Sequence, residues 1–454
     1  MTSQKQSQIT KEILQDNLIK LMFKLSIPSI LGVLMLSLNT FIDALFAGRF
    51  IGENALAGIS LAMPLINIVN GFAGLIGVGS ASVLSRAIGS EDIKTQSKIF
   101  GNLIIMSIII AFFITILGYN FDRELITLMG GKGEVALEGT KYFNIYILGS
   151  VFLILGTACG QVINSEGQIR LTTISNWTFV TVNILLNYIF ITVYNWGIQG
   201  IALATVIAMV VSSILNLSHF ISGKSSIPVN LKNVAFAIDL LPAILSVGIS
   251  SLFHPVMILI HEFVIFNLIS DYGTNSDIAF FGATMKVISL AYIPIIGFAQ
   301  ALQPIIGMNY GSKNYIRLKN AYLIFAIAGI ILLLCIWLPL QLYPKIFLSL
   351  ILPGVNFTED NAINFRIIII LTPLWHLAYC SNTLFLSIGK AKIVVFALFL
   401  RSIVLNVPMI ILFSNIFGLR GIYIGFNLGD FLFMIIAFVL TFREFISLSK
   451  LNYL

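Results

Sequence analysis

Charge is what this sequence has least of. Only 10% of its 454 residues are Asp, Glu, Lys or Arg, and 58% are hydrophobic. A soluble domain carries about 25% charged residues, so a water-soluble globular fold is excluded. Cysteine is scarce as well. Cys159, Cys335 and Cys380 all fall inside apolar runs, at no metal-ligand spacing and without the pattern of a disulfide framework. No Walker sequence, nucleophile elbow or zinc signature is present. The glycine-rich stretch from Gly71 to Ser82 sits within an apolar run and follows no strand, so it is a close-packing surface and not a phosphate loop. The polar N-terminus, MTSQKQSQITKEILQDNLIKL, lacks the form of a cleavable leader, and the first apolar run is expected to stay in the membrane.

Long apolar runs fill the rest of the chain. Twelve are counted, at about 25–48, 56–84, 99–121, 139–163, 171–193, 197–221, 240–270, 277–308, 321–343, 362–388, 392–414 and 419–442. About 20 residues of helix cross the hydrocarbon core at 1.5 Å per residue. None of the runs alternates as a barrel strand would. The fold class expected is an all-α polytopic membrane protein with twelve transmembrane helices. An even number of spans puts both termini on one side. Seventeen Lys and Arg fall on that side and seven on the other, which places the termini in the cytoplasm by the positive-inside rule. The net charge of +7 is thereby accounted for without nucleic acid.

The halves repeat. Gly89-Ser-Glu-Asp after the second span returns as Gly311-Ser-Lys-Asn after the eighth. Ser165-Glu-Gly167 after the fourth returns as Ser387-Ile-Gly389 after the tenth, and Gly197-Ile-Gln-Gly200 as Gly418-Leu-Arg-Gly421. The three offsets agree to within one position, which chance does not readily produce. Two six-helix lobes are expected, 1–221 and 240–454, joined by a cytoplasmic loop at 222–239. Equal topology in the two lobes puts the symmetry axis along the membrane normal, as in transporters that bind near the bilayer midplane.

Polar residues inside the runs mark the candidate site. Asp43 lies in the first span, where a carboxylate costs about 2.5 kcal/mol or more. It is either an acid near a helix end or an acid facing a water-filled cavity that takes up a cation or proton. Asn183 and Asn187 in the fifth span are four apart and share a face. Their oxygens suit a hard cation such as Na⁺, and equally they could join neighbouring helices by hydrogen bonds. Thr205 in the sixth span says little alone. The second half holds His261, Glu262, Lys286 and Asp430 within its spans, with Lys286 able to pair with either acid. His254, His261 and His376 are packing or lining residues that could titrate near neutral pH. Pro28, Pro64, Pro242, Pro255, Pro294, Pro304, Pro373 and Pro408 fall in or near spans and invite kinks.

These residues resemble the multidrug and toxic compound extrusion (MATE) transporters, in the bacterial DinF-like branch. The resemblance runs through Pro28, Asp43 and Phe46-Ala-Gly48, Ala55-Leu-Ala-Gly58, Gly79-Ser-Ala-Ser82 with Arg86-Ala-Ile-Gly89, Gly197-Ile-Gln-Gly200 with Ala204-Thr205, and Gln303-Pro304-Ile-Ile-Gly307-Met-Asn309-Tyr310-Gly311. It covers nearly the whole chain. It implies a monomeric antiporter, not an enzyme, that expels amphipathic or cationic drugs in exchange for Na⁺ or H⁺ and needs no cofactor. It further implies a cation site at Asp43, Asn183, Asn187 and Thr205, with one departure. The family pattern has an acid where Asn187 stands, leaving one formal negative charge instead of two. The other branch's site pairs an acid in the seventh span with one in the tenth. Glu262 resembles the first, but the tenth span has none. The superfamily also contains flippases for lipid-linked saccharides, whose cavities gather several Arg or Lys, whereas only Lys286 and Arg401 lie within spans here. A membrane-embedded enzyme or a channel is a more distant reading.

Overall fold

The computed structural model describes residues 2–229, 235–352 and 355–451. Among them there is no strand. The elements are α1 (Thr2–Gln15), α2 (Leu18–Phe46), α3 (Glu53–Gly89), α4 (Ile93–Asn120), α5 (Asp122–Leu128), α6 (Gly133–Leu148), α7 (Ser150–Ser165), α8 (Ile169–Tyr188) and α9 (Gly197–Ile221). After the linker come α10 (Leu241–Tyr272), α11 (Asn275–Gly311), α12 (Tyr315–Leu342), α13 (Pro344–Ile351), α14 (Glu359–Ile368), α15 (Thr372–Ser387), α16 (Ala391–Phe399) and α17 (Val407–Leu451). Helix, short of a closed barrel, is the form a lipid-bathed chain takes, because each backbone group finds its partner within the segment. Phe41, Phe112, Ile174, Phe263 and Phe438 are each more than 60% exposed, a surface that only lipid can cover.

Among the described residues ten helices are long and apolar enough to cross a bilayer, and α6 with α7, bent by 57° about Gly149, makes an eleventh span. The last, Ala391–Leu451, runs 61 residues, or about 90 Å, some three times the hydrocarbon thickness. Gly418 divides it with a left-handed φ of 58°, a conformation glycine adopts without strain. That gives the expected twelve spans. The boundaries differ in places. The first span is longer than 25–48, since α2 passes into a π-helical turn, Ala47–Ile51. The spans expected at 139–163 and 362–388 are each two helices, α6 with α7 and α14 with α15. Three short helices, α1, α5 and α13, lie outside the apolar runs.

The sequence repeat is also a repeat of backbone conformation. Glu91 and Lys313, which stand at the offset of the first repeated turn, both take left-handed φ, 58° and 60°. Gly167 and Gly389 share φ of 81° and 83°, and Gly197 and Gly418 share 56° and 58°. Asp92 caps α4 by accepting from the Thr95 amide, and Asn314 caps α12 by accepting from the Arg317 amide. Of the linker, 230–234, with Lys232, lies outside the described residues. Its flanks are tied to the first half. Glu166, fully buried, accepts from His219 Nε2 at 2.7 Å and from the Ser226 amide at 2.9 Å. Asn102 exchanges two hydrogen bonds with the Ala237 backbone, at 3.0 and 2.8 Å.

The two halves touch at one end. Glycines let α3 and α10 approach so closely that a Cβ on Gly248 would lie 1.8 Å from Leu75 O, and one on Gly79 would lie 2.2 Å from Ile244 O. Farther along, Gln303 Nε2 donates to Ser85 Oγ at 3.1 Å, and Arg86 Nη1 donates to Ser387 O at 3.0 Å. Ser29 Oγ donates to Gln300 Oε1 at 3.0 Å. These contacts all sit toward the end that carries α1, the linker and the turns repeated between Gly89 and Gly311 and between Gly167 and Gly389. The early part of α3 packs within its own half instead, with Gly58 against Gly139 of α6.

Candidate functional site

Asp43 is 5% exposed and lies eight residues before Ile51, where the helical run ends. It is therefore an internal acid and not one at a helix end. Asn39, one turn earlier on the same face, donates Nδ2 to Asp43 Oδ2 at 3.1 Å. From α8, Asn187 Nδ2 donates to Asp43 Oδ1 at 2.6 Å and to Asn183 Oδ1 at 2.9 Å. Asn183 Nδ2 donates to Thr205 Oγ1 of α9 at 3.0 Å, and that hydroxyl donates to Ile201 O. Asn183 and Asn187 are fully buried. The four residues singled out in the first half thus form one chain of hydrogen bonds across α2, α8 and α9. Tyr142 and Tyr146 of α6, buried and stacked at 5.9 Å between centroids, close its side. Asn39 is the member that the sequence reading missed, although its spacing of four from Asp43 was the signal.

What this cluster lacks decides its chemistry. Among the described residues no Lys, Arg or His forms an ion pair with Asp43. Asn39 Oδ1 and Asn187 Oδ1 are buried and have no hydrogen-bond partner. A buried carboxylate without a counter-charge, beside two unpartnered amide oxygens, is costly as it stands. It is also a set of hard oxygen donors, the kind that takes up a small cation. The residues therefore fit Na⁺ or a proton. Both polar helices leave α-geometry just past their polar residues, α2 at Ala47–Ile51 and α8 at Ile189–Val193. Single π turns of this kind gather at functional sites.

One turn away is a cavity of about 240 Å³. Leu36, Phe179 and Met209 on its wall are a turn from Asn39, Asn183 and Thr205 respectively. The wall carries the amides Asn70, Gln161, Asn164, Asn176, Asn216 and Gln300, and no charged side chain. Such a space offers apolar contact with polar anchors for a small molecule.

The second half is organised differently from the expectation. Asp430, 1% exposed, is paired with Arg401 and not with Lys286. Arg401 Nε and Nη2 reach the two carboxylate oxygens at 2.9 and 3.3 Å, and Asn406 Nδ2 donates to Oδ1 at 2.8 Å. The reason is position: the segment Leu400–Asn406 packs directly against α17, and the planar guanidinium matches a carboxylate as an ammonium does not. Lys286 is exposed on α11. His261 and Glu262 of α10, with His254, line a second cavity of about 280 Å³ beside Arg401, Tyr292, Trp375 and Tyr379. His376 is not brought there. It is fully buried, contacts Phe325 O at 3.0 Å, and packs edge-on against Phe298.

A family model described as MatE matches residues 28–189 and again 250–412. The starts of the two matches are offset from each other as the paired turns are. The multidrug export protein MepA of Staphylococcus aureus (strain MRSA252) is 22% identical over 443 residues, covering 95% of this chain and 96% of that protein. MepA of Staphylococcus saprophyticus subsp. saprophyticus is 23% identical over 451 residues, 96% of each. Among solved structures, an outward-facing multidrug resistance MATE transporter of the MOP superfamily superposes with a TM-score of 0.90, at 24% identity over 97% of this chain and 98% of that one. A MATE in the bent conformation gives 0.92 at 23%, over 98% and 99%.

Proposed function

Because the chain belongs to the MatE family, we propose that it is a secondary exporter of amphipathic or cationic drugs, driven by inward movement of one monovalent cation, Na⁺ or H⁺, through the first half. The observation that carries this is Asp43: a buried carboxylate with amide donors, no counter-charge, and two unpartnered amide oxygens beside it. Uptake of a cation neutralises the acid, and the polar chain from Asp43 to Thr205 tightens around it. The uncharged amide-lined cavity one turn away holds the drug. A change in the charge of Asp43 moves α2 against α8 and so alters the cavity they share. Asp43, Asn183, Asn187 and Thr205 are the coupling residues in this reading, and both termini lie in the cytoplasm, at the closed end.

The test is ethidium efflux from proteoliposomes, with a Na⁺ gradient and, separately, a pH gradient. Efflux is expected to follow one gradient and to be lost in Asp43→Asn, with the protein still inserted. Efflux from that variant at the wild-type rate would remove Asp43 from the mechanism. Absence of efflux under either gradient, with the wild-type chain, would turn the search to lipid substrates.

A further inference from the structure

The second half holds a counterpart of the cation cluster, already filled. Asn406 stands to Asn183 as the end of the second family match, 412, stands to the end of the first, 189. Asp430 approaches it from α17, the twelfth span, whereas Asp43 approaches the amides of α8 from α2, the first. Asn406 donates to the carboxylate, and its own Oδ1 is buried without a partner, as Asn187 Oδ1 is. The parallel extends to backbone form, since Asn406 ends a π-helical turn, Leu400–Asn406. Beyond the span that supplies the acid, the difference is one residue. Arg401 reaches the carboxylate through Nε and Nη2, and its guanidinium carbon sits 4.0 Å from the Trp375 ring centroid and 5.9 Å from that of Phe433. A guanidinium is charged at every physiological pH, and here it is held by an ion pair and an aromatic face together.

We propose that Asp430 and Asn406 form a latent site for a monovalent metal cation that the tethered guanidinium of Arg401 keeps permanently occupied. At Asp430 the cavity at 254–292 and 372–402 therefore faces a neutral pair, Glu262, only half-buried, being the acid left on its wall, and mobile cation is taken up at Asp43. This rests on the cation reading of Asp43. One consequence is the coupling ratio: one ion per cycle, so that export of a singly charged drug moves no net charge.

The measurement is radiolabelled Na⁺ bound per purified full-length chain at saturation. Arg401→Gln is expected to bind one Na⁺ more than the parent chain. The gain should persist when Asp43→Asn is added and vanish in Arg401→Gln/Asp430→Asn. Arg401→Gln binding no more Na⁺ than wild type overturns the proposal. Removing either partner of a buried pair can unfold a protein, so retention of the Asp43-dependent ion reports the fold of each variant, and Asp430→Asn in the otherwise native chain is measured as well. It should bind as much Na⁺ as wild type; loss of one ion would mean that the second half takes up cation natively, and would equally overturn the proposal. A failure of the Asp43 reading looks different: wild type and Asp43→Asn then bind alike, while the Arg401→Gln gain remains.

Discussion

Asn187 is the residue at which this chain departs from the two-acid pattern, and it makes the sharpest prediction of any single position. Its amide lies 2.6 Å from Asp43 Oδ1. A second carboxylate there faces a like charge at contact distance, and the pair cannot be fully ionised without a counter-ion. Asn187→Asp is therefore expected to raise cation affinity, lowering the half-saturating Na⁺ concentration by about tenfold, or shifting the pH dependence of efflux upward by about one unit. A titration of ethidium efflux against Na⁺ and pH reads it, and an unchanged titration would place the driving ion elsewhere. Asp43 is legible in the sequence because the bilayer makes any carboxylate in an apolar run conspicuous, and Asn183 and Asn187 because four-residue spacing fixes a shared face. The Arg401–Asp430 pair is not legible there. Both charges are visible, but which helix lies beside which is a tertiary fact, and by sequence alone Lys286 is as good a partner.

Two features of the helices decide how they move, and the sequence carries them unequally. The glycines that let α3 cross α10 stand in a visible row, Gly71 to Gly79, and the turns that repeat in sequence between the halves repeat in φ as well. The π turns after Asp43 and Asn187 have no such signal, since an added residue per turn is set by packing and by no residue type. Nor does the count of apolar runs show what α1 does. Its Ile13 packs over Gly167 of the first half, while Arg317 of the second half donates to the carbonyls of Ile13 and Asp16, at 3.0 Å and 2.6 Å from Nη2. α1 thus straddles both halves at the closed end. Arg317→Ala removes the clasp without touching the cation cluster or either cavity. It should raise labelling of cysteines introduced at the closed end by several-fold, with ion dependence unchanged. Labelling equal to the parent's would make α1 a passive cover.

For the whole molecule, the contacts between halves amount to a seal at one end. Ser85 with Gln303, Arg86 with Ser387, and the α3–α10 glycine crossing all lie there, whereas beyond Gly58 the start of α3 turns to α6 of its own half. Export by alternating access requires this seal to break once per cycle. Ser85 and Gln303 offer a direct handle, because their side chains meet at 3.1 Å across the seal. In a background with Cys159, Cys335 and Cys380 replaced, Ser85→Cys/Gln303→Cys bridged by a short bis-thiosulfonate reagent should stop ethidium efflux, and reductant should restore it. The same reagent on Ser381→Cys/Thr441→Cys, whose parent hydroxyls meet at 2.8 Å within the second half, should leave efflux running, since α15 and α17 need not part if each half moves as a body. Efflux that persists with the seal bridged would mean that compounds pass without this end opening, which is the behaviour of a channel or of a groove open to lipid. Efflux stopped by either bridge would mean that the second half must itself rearrange. Only selective arrest by the bridge across the seal fits two halves rocking about a cation site confined to the first.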